Sequence, residues 1–182
     1  MKQILVCVLL CAISAGSFAQ PVFMTRNGKI SFFSKTPIEN IEATNNEVTS
    51  LLDIEKGELV FAVLVKSFRF DKALMEEHFN ENYLESSKYP KATFNGKILN
   101  LSKVNFKVSG TYEIEVGGDL TIHGVKQYQT ATGTIIVSPD KLEASSKFVI
   151  KLSDHKIEIP ALVAEKISKT VEINVNCIYA PK

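Results

Sequence analysis

The groups in this sequence that could do chemistry are few, and their spacing limits what that chemistry can be. Three histidines, His78, His123 and His155, are spread widely along the chain. Histidine serves as a general acid or base near neutral pH and as a ligand for transition metals. A metal site needs several ligands at close spacing, and these three are scattered with no carboxylate at such an interval. Glu76 and Glu77 are adjacent carboxylates, but neighbours on a helix point about 100° apart. They cannot share a proton as an acid–base couple, and a solvated face accounts for them. No G-x-S-x-G elbow, H-E-x-x-H pair or glycine-rich phosphate loop occurs. Cys177 is the only cysteine beyond residue 11, so that part of the chain can form neither an intrachain disulfide nor a thiolate zinc cluster. The residue types give no positive sign of catalysis, no metal site and no cofactor.

The stretch from Gly57 to Ile98 must position whatever site exists. Glu58 to Phe70 is the strongest strand by content, carrying Val60, Phe61, Val63, Val65, Phe68 and Phe70. Asp71 is a good helix N-cap. A short helix then runs over about 72–80, with Leu74, Met75, His78 and Phe79 on one face and Glu76 and Glu77 turned away. On that apolar face His78 is either a histidine bonded to backbone or a nearby Glu, or a contact for a ligand headgroup. Pro90 pushes Tyr89 toward extended geometry, and the next strand starts near Ala92. Asn95-Gly96 has the chemistry of a hairpin turn. The apolar pattern continues past it to Leu101, so it reads as a bulge within one strand.

The rest alternates. Asn27-Gly28, Asn45-Asn46, Lys56-Gly57, His123-Gly124 and Pro139-Asp140 are turn signals, and Thr36-Pro37 breaks the first strand. Tyr112, Ile114, Val116, Leu120 and Ile122 share one parity, and Gly117-Gly118 marks a bend or bulge among them. Leu142 to Leu152 and Val171 to Tyr179 repeat the alternation. Eight to ten such strands with short connections make an antiparallel sheet with one wet face. Strands of about a dozen residues reach roughly 40 Å, long for a sandwich. The fold class expected is therefore all-β: an antiparallel barrel of about eight strands with one short helix inserted between strands. Lys and Glu occupy the outward parity, which is the reverse of an outer-membrane barrel, so the barrel is soluble and its interior apolar. Thr130, Thr132, Thr134, Ala144 and Ser146 interrupt the inward parity opposite aromatics such as Phe148 and Tyr128. Either they leave room for an apolar ligand or they face solvent at the rim. The inward parity names Phe61, Val63, Tyr112, Ile114, Ile122, Phe148, Ile150 and Val175 as candidate lining, and the helix adds Leu74, Met75, His78 and Phe79.

Over 182 residues the apolar content is 45%, the charged content 23% and the formal net charge +1. These values suit one globular domain and argue against nucleic acid or an anionic membrane surface as partner. The N-terminus, MKQILVCVLLCAISAGSFAQ, has a basic start, an apolar run and Ser17-Phe18-Ala19 before Gln20. It reads as a signal peptide over 1–19, cleaved near Ala19/Gln20, ahead of a single domain over 20–182. The apolar run falls short of the roughly 20 residues of a membrane span, so stable insertion in a membrane is not expected.

Several blocks carry a resemblance. Lys66-Ser67-Phe68-Arg69-Phe70, Leu74-Met75-Glu76-Glu77-His78-Phe79, Tyr83-Leu84-Glu85-Ser86 and Lys88-Tyr89-Pro90-Lys91-Ala92-Thr93-Phe94 resemble the signature of the YceI-like, polyisoprenoid-binding family, as does Gly118 to Lys126. The likeness runs from about Gly28 to Tyr179, although Lys126 stands where a Thr is frequent. It implies a lipocalin-like barrel whose apolar tunnel holds an isoprenoid or other long-chain lipid, in a periplasmic or secreted carrier that is not an enzyme. Two other readings stand beside it: a lipid hydrolase or isomerase using His78 as base, and a ligand-free interaction module filled by its own side chains. The oligomeric state, a homodimer included, is open at this level.

Overall fold

The computed structural model describes residues 22–182. The expected signal peptide lies outside the described residues. The strands are β1 (Val22–Lys35), β2 (Asn40–Asp53), β3 (Glu58–Leu64), β4 (Arg69–Phe70), β5 (Lys91–Ile98), β6 (Gly110–Ile122), β7 (Val125–Val137), β8 (Leu142–Lys151) and β9 (Thr170–Pro181), with helix α1 (Ala73–His78) between β4 and β5. All pairings are antiparallel, in the order β1-β9-β8-β7-β6-β5-β3-β2, and β1 pairs again with β2. Eight strands therefore close into an up-and-down barrel. The two-residue β4 pairs only with β2, at Ala43 and Thr44. Closure removes the free edges that an open antiparallel sheet exposes.

Long-range ladders override several local turn signals. Asn27-Gly28 and Asn45-Asn46 do not turn the chain. They sit inside β1 and β2 at the same level of one ladder, where Thr25 pairs with Ser50, Gly28 with Val48 and Ile30 with Asn45. The extra residue in β1 is followed by an extra residue in β2, so two bulges cancel and the register resumes. Asn45 supports the second one: its side chain donates to the Leu64 carbonyl (2.9 Å) and accepts from the Glu47 amide (2.8 Å). Asn95-Gly96 does lie within a single strand, but both of its ladders run without a register shift, so the expected bulge is absent. Gly117-Gly118 also continues the ladder unbroken.

The barrel has one closed end and one open end. At the closed end Leu52, Ile98, Val137, Leu142 and Tyr179 are buried together, and Leu101, Val104 and Phe106 of the β5–β6 connection pack beneath them. At the open end stand the β1–β2 turn, α1, the β6–β7 turn and the long β8–β9 connection. Outward positions such as Glu113, Glu115, Lys126 and Lys147 are exposed, as the alternation requires. No helix among the described residues is long and apolar enough to cross a membrane.

Candidate functional site: an apolar cavity under a short helix

β3 ends at Leu64, which pairs with Lys91, and the next amide, Val65, donates to the Pro90 carbonyl (3.0 Å). The chain makes a tight turn at Val65–Ser67, pairs briefly as β4, and enters α1. The helix is shorter than the pattern suggests, at six residues, and continues as a wider turn over Phe79–Tyr83 in which the Leu84 amide reaches the Phe79 carbonyl. Asp71 does not cap it. Lys72 precedes the first helical residue, and no side chain caps the helix. Glu76, expected to face away, instead turns back: it accepts from Arg69 (3.0 Å) and from the Phe70 amide (3.3 Å), tying the helix to β4. Phe79 anchors the other side. Its ring stacks on Phe32 (5.4 Å between centroids) and meets Phe68 and Phe70 at 5.6 and 5.1 Å. Such aromatic pairs each contribute about 0.5–1.5 kcal/mol beyond their buried area, so the helix is held over the barrel mouth by four rings rather than by its own propensity.

Beneath it the barrel is hollow. The cavity measures about 580 Å³, and its walls are almost entirely apolar. The volume falls in the usual range of small-molecule sites. The inward residues Phe61, Val63, Ile114, Ile122, Phe148, Ile150 and Val175 line it, and Leu74, Met75, His78 and Phe79 line its mouth. Tyr112 does not. It sits at the closed end, where its hydroxyl donates to the Val108 carbonyl (2.9 Å).

The reason for the hollow differs from the expected one. Thr130, Thr132 and Thr134 point outward, and Tyr128 is 66% exposed. The two-residue turn at His123-Gly124 pairs Ile122 with Val125, so the inward parity changes from even on β6 to odd on β7. The small inward residues are Ala131 and Gly133 on β7, with Ala144 and Ser146 on β8 as expected. Beyond Ser146 the β7–β8 ladder stops, and the two strands part toward the mouth.

His78 is exposed at the mouth, and among the described residues its ring has no hydrogen-bond partner. An enzymatic base would need an orienting group, and none is assembled there. A carboxylate–histidine contact does occur elsewhere. His123 Nε2 lies 2.7 Å from Glu85 and its Nδ1 lies 3.2 Å from the His155 carbonyl. Both ring nitrogens are thus occupied by acceptors. Glu85 and His123 both hold positive φ, at 43° and 52°, a conformation that non-glycine residues adopt at some cost. Tyr89 packs edge-on against His123 at 4.7 Å. The pair therefore fastens the segment after α1 to the β6–β7 turn. Alternation and spacing do not reveal this contact, because its partners come from separate blocks of the sequence.

Tyr179, which the last strand's parity places inward, forms part of the cavity floor. Its hydroxyl lies 2.8 Å from Ser50 Oγ, which in turn donates to the Val60 carbonyl. Burial pushes the Tyr179 phenol well above its ordinary range. Burial also pushes the neighbouring Cys177 thiol up, to about 11 from the ordinary 9.0. Both acids are then held neutral in the folded state, and deprotonation favours unfolding. The Cys177 contribution is complete below about pH 9 and is lost as pH rises toward about 11, on the order of 2–3 kcal/mol. Denaturant midpoints at pH 8 and pH 10.5 should show this fall, and Cys177→Ala should reduce it, the buried Tyr179 phenol keeping the remainder. An unchanged slope in that variant would refute the assignment.

An eight-stranded up-and-down barrel with a closed floor, a hollow, mostly apolar interior and a pinned helix at its mouth places the chain in the class of hollow antiparallel barrels with room for an apolar molecule. Within that class the chain is specific: residues 22–178 match the YceI-like domain, and the protein belongs to that family. Among solved structures it is similar to a polyisoprenoid binding domain from Saccharophagus degradans (TM-score 0.77, 16% identity, 90% of this chain and 99% of that one). It is also similar to BcnA of Burkholderia cenocepacia (0.68, 19%, 84% and 96%) and to the YCEI protein of Campylobacter jejuni (0.64, 18%, 81% and 89%). At these identities the likeness speaks for the fold. No curated protein sequence matches it.

Proposed function

We propose that this protein holds a long-chain, isoprenoid-type lipid in the barrel cavity and carries or sequesters it in the periplasm or outside the cell. The observation that carries this reading is the cavity itself: about 580 Å³, closed below and walled mostly by apolar side chains, with its charged residues Glu39, Lys72 and Lys166 among the lining. A barrel filled by its own side chains, as a ligand-free interaction module would be, leaves no such space. Burying apolar surface recovers about 25 cal/mol per Å², so a few hundred Å² of lipid gives several kcal/mol before ordering costs. No fixed polar contact is required for that affinity. Phe61, Val63, Ile114, Ile122, Phe148, Ile150 and Val175 would contact the chain, and Leu74, Met75, His78 and Phe79 would meet its outer end, with His78 among the polar groups available to a headgroup. The location rests on the signal peptide read in residues 1–19, with 20–182 as the mature domain. The polyisoprenoid-binding neighbour supports the ligand class.

Native mass spectrometry and organic extraction of the protein purified from the cell envelope test the proposal. A stoichiometric prenyl lipid is expected. An empty protein that also takes up no added farnesol would sink it.

A further inference from the structure

We propose that the open end of the barrel docks on the surface of a neutral lipid bilayer through an apolar rim of Ile38, Leu74 and Leu162, so that a lipid passes between membrane and cavity without crossing water. This rests on the lipid-holding reading and adds the route of entry. The three side chains are 58%, 61% and 95% exposed. They stand on three separate segments: the β1–β2 turn, the first turn of α1, and the turn at Ala161–Val163. Those segments meet around the mouth. Lys72 Nζ lies 3.0 Å from Glu39, joining α1 to the β1–β2 turn, and the Ser168 amide donates to Ser34 Oγ at 3.0 Å, joining the β8–β9 connection to the end of β1. The rim is continuous with the cavity, because Glu39, Leu74 and Val163 line it.

Other exposed apolar residues lack this arrangement. Leu99 and Val108 lie at the closed end, and Leu99 and Tyr128 both reach over Gly117. Val60, Ile136, Val149 and Ile178 stand on the barrel wall, and Leu64 ends β3; none of these residues lines the cavity. The occupant follows from two facts. A ligand held in an apolar cavity resides in a bilayer when free, so the only continuous apolar path into the barrel is one that touches the bilayer. The charges beside the rim are mixed, with Lys35, Lys72, Lys166 and Lys169 against Glu39, Asp71, Glu77 and Glu165. Shallow apolar insertion, rather than attraction to anionic headgroups, fits that balance.

The test compares the purified protein with the double variant Ile38→Asp/Leu162→Asp, whose altered residues do not line the cavity. The wild type should float with phosphatidylcholine vesicles and take up farnesol from them. The variant should lose flotation and take up vesicle-borne farnesol roughly tenfold more slowly, with equal binding of farnesol presented in solution and an unchanged melting temperature. Equal vesicle uptake by the two proteins, with solution binding intact, would overturn the docking surface and leave the lipid-holding reading in place. Failure of the wild type to bind farnesol in solution would remove both. A dimer in solution that the same substitutions dissociate would assign the rim to a second copy and overturn the proposal.

Discussion

Ala144→Trp is expected to remove most of the protein's affinity for a long apolar chain while leaving the barrel folded. Ala144 is a small side chain on β8 lining the cavity, and it pairs across β9 with Cys177 and across β7 with Ile135. A tryptophan there projects toward the floor beside Tyr179 and fills the part of the cavity where the far end of the ligand would lie. Excluding roughly 100 Å² of chain from burial costs about 2–3 kcal/mol, or 30- to 150-fold in affinity. A short prenyl alcohol confined to the mouth half should lose much less. The sequence has no native tryptophan, so the substituted indole also reports occupancy by fluorescence. Ala131→Trp, on the neighbouring strand β7, serves as the second variant. Retained long-chain affinity in both folded variants would show that the ligand does not occupy this cavity.

The largest effect on stability is expected at Gly118. Gly118 pairs directly with Gly96 across the β5–β6 ladder. A Cβ on Gly118 would run into the Gly96 Cα and the Asn95 carbonyl, both backbone atoms that no rotamer change can move. Gly96 is constrained too, because the Phe94 ring folds over it and a Cβ would lie 2.6 Å from Phe94 Cζ. Gly118→Ala should therefore cost about 3 kcal/mol or more, by forcing the paired strands β5 and β6 apart. Its neighbour is the control. A Cβ on Gly117 would meet the Tyr128 hydroxyl at 2.5 Å, and Tyr128 is an exposed side chain that can swing away. Gly117→Ala should cost about 1 kcal/mol or less. Chemical denaturation of the two variants measures the difference, and equal losses would contradict the close-approach account.

These two positions also show how far the sequence could be read. The alternation along β6, β8 and β9 named the inward face correctly, because a period of two has only two phases and the charged phase cannot enter an apolar core. The helix between β4 and β5 is legible through a different period, the 3.6-residue spacing of Leu74, Met75 and Phe79. Tyr112 lies outside the cavity because parity gives the face of a strand but not the height along it. On β7 alternation alone leaves the face open, and the register carried through the two-residue His123-Gly124 turn puts Ala131 and Gly133 inside. The Glu85–His123 pair was hidden in a different way, since no local pattern links residues that meet only after the barrel has closed.

Composition, alternation and the helical spacing by themselves determined an all-β antiparallel barrel with its charges outside and a helix set among its strands, because these follow from where each residue points along a strand or helix. Only the tertiary structure decided that Asn27-Gly28 and Asn45-Asn46 lie inside long strands, because pairing over many residues outweighs a local turn preference of a few tenths to one kcal/mol. It alone decided how much space the side chains leave inside. A cavity is the difference between the space a closed barrel encloses and the volume its inward side chains supply, and Ala131, Gly133, Ala144 and Ser146 reach one another only through the ladders that close it.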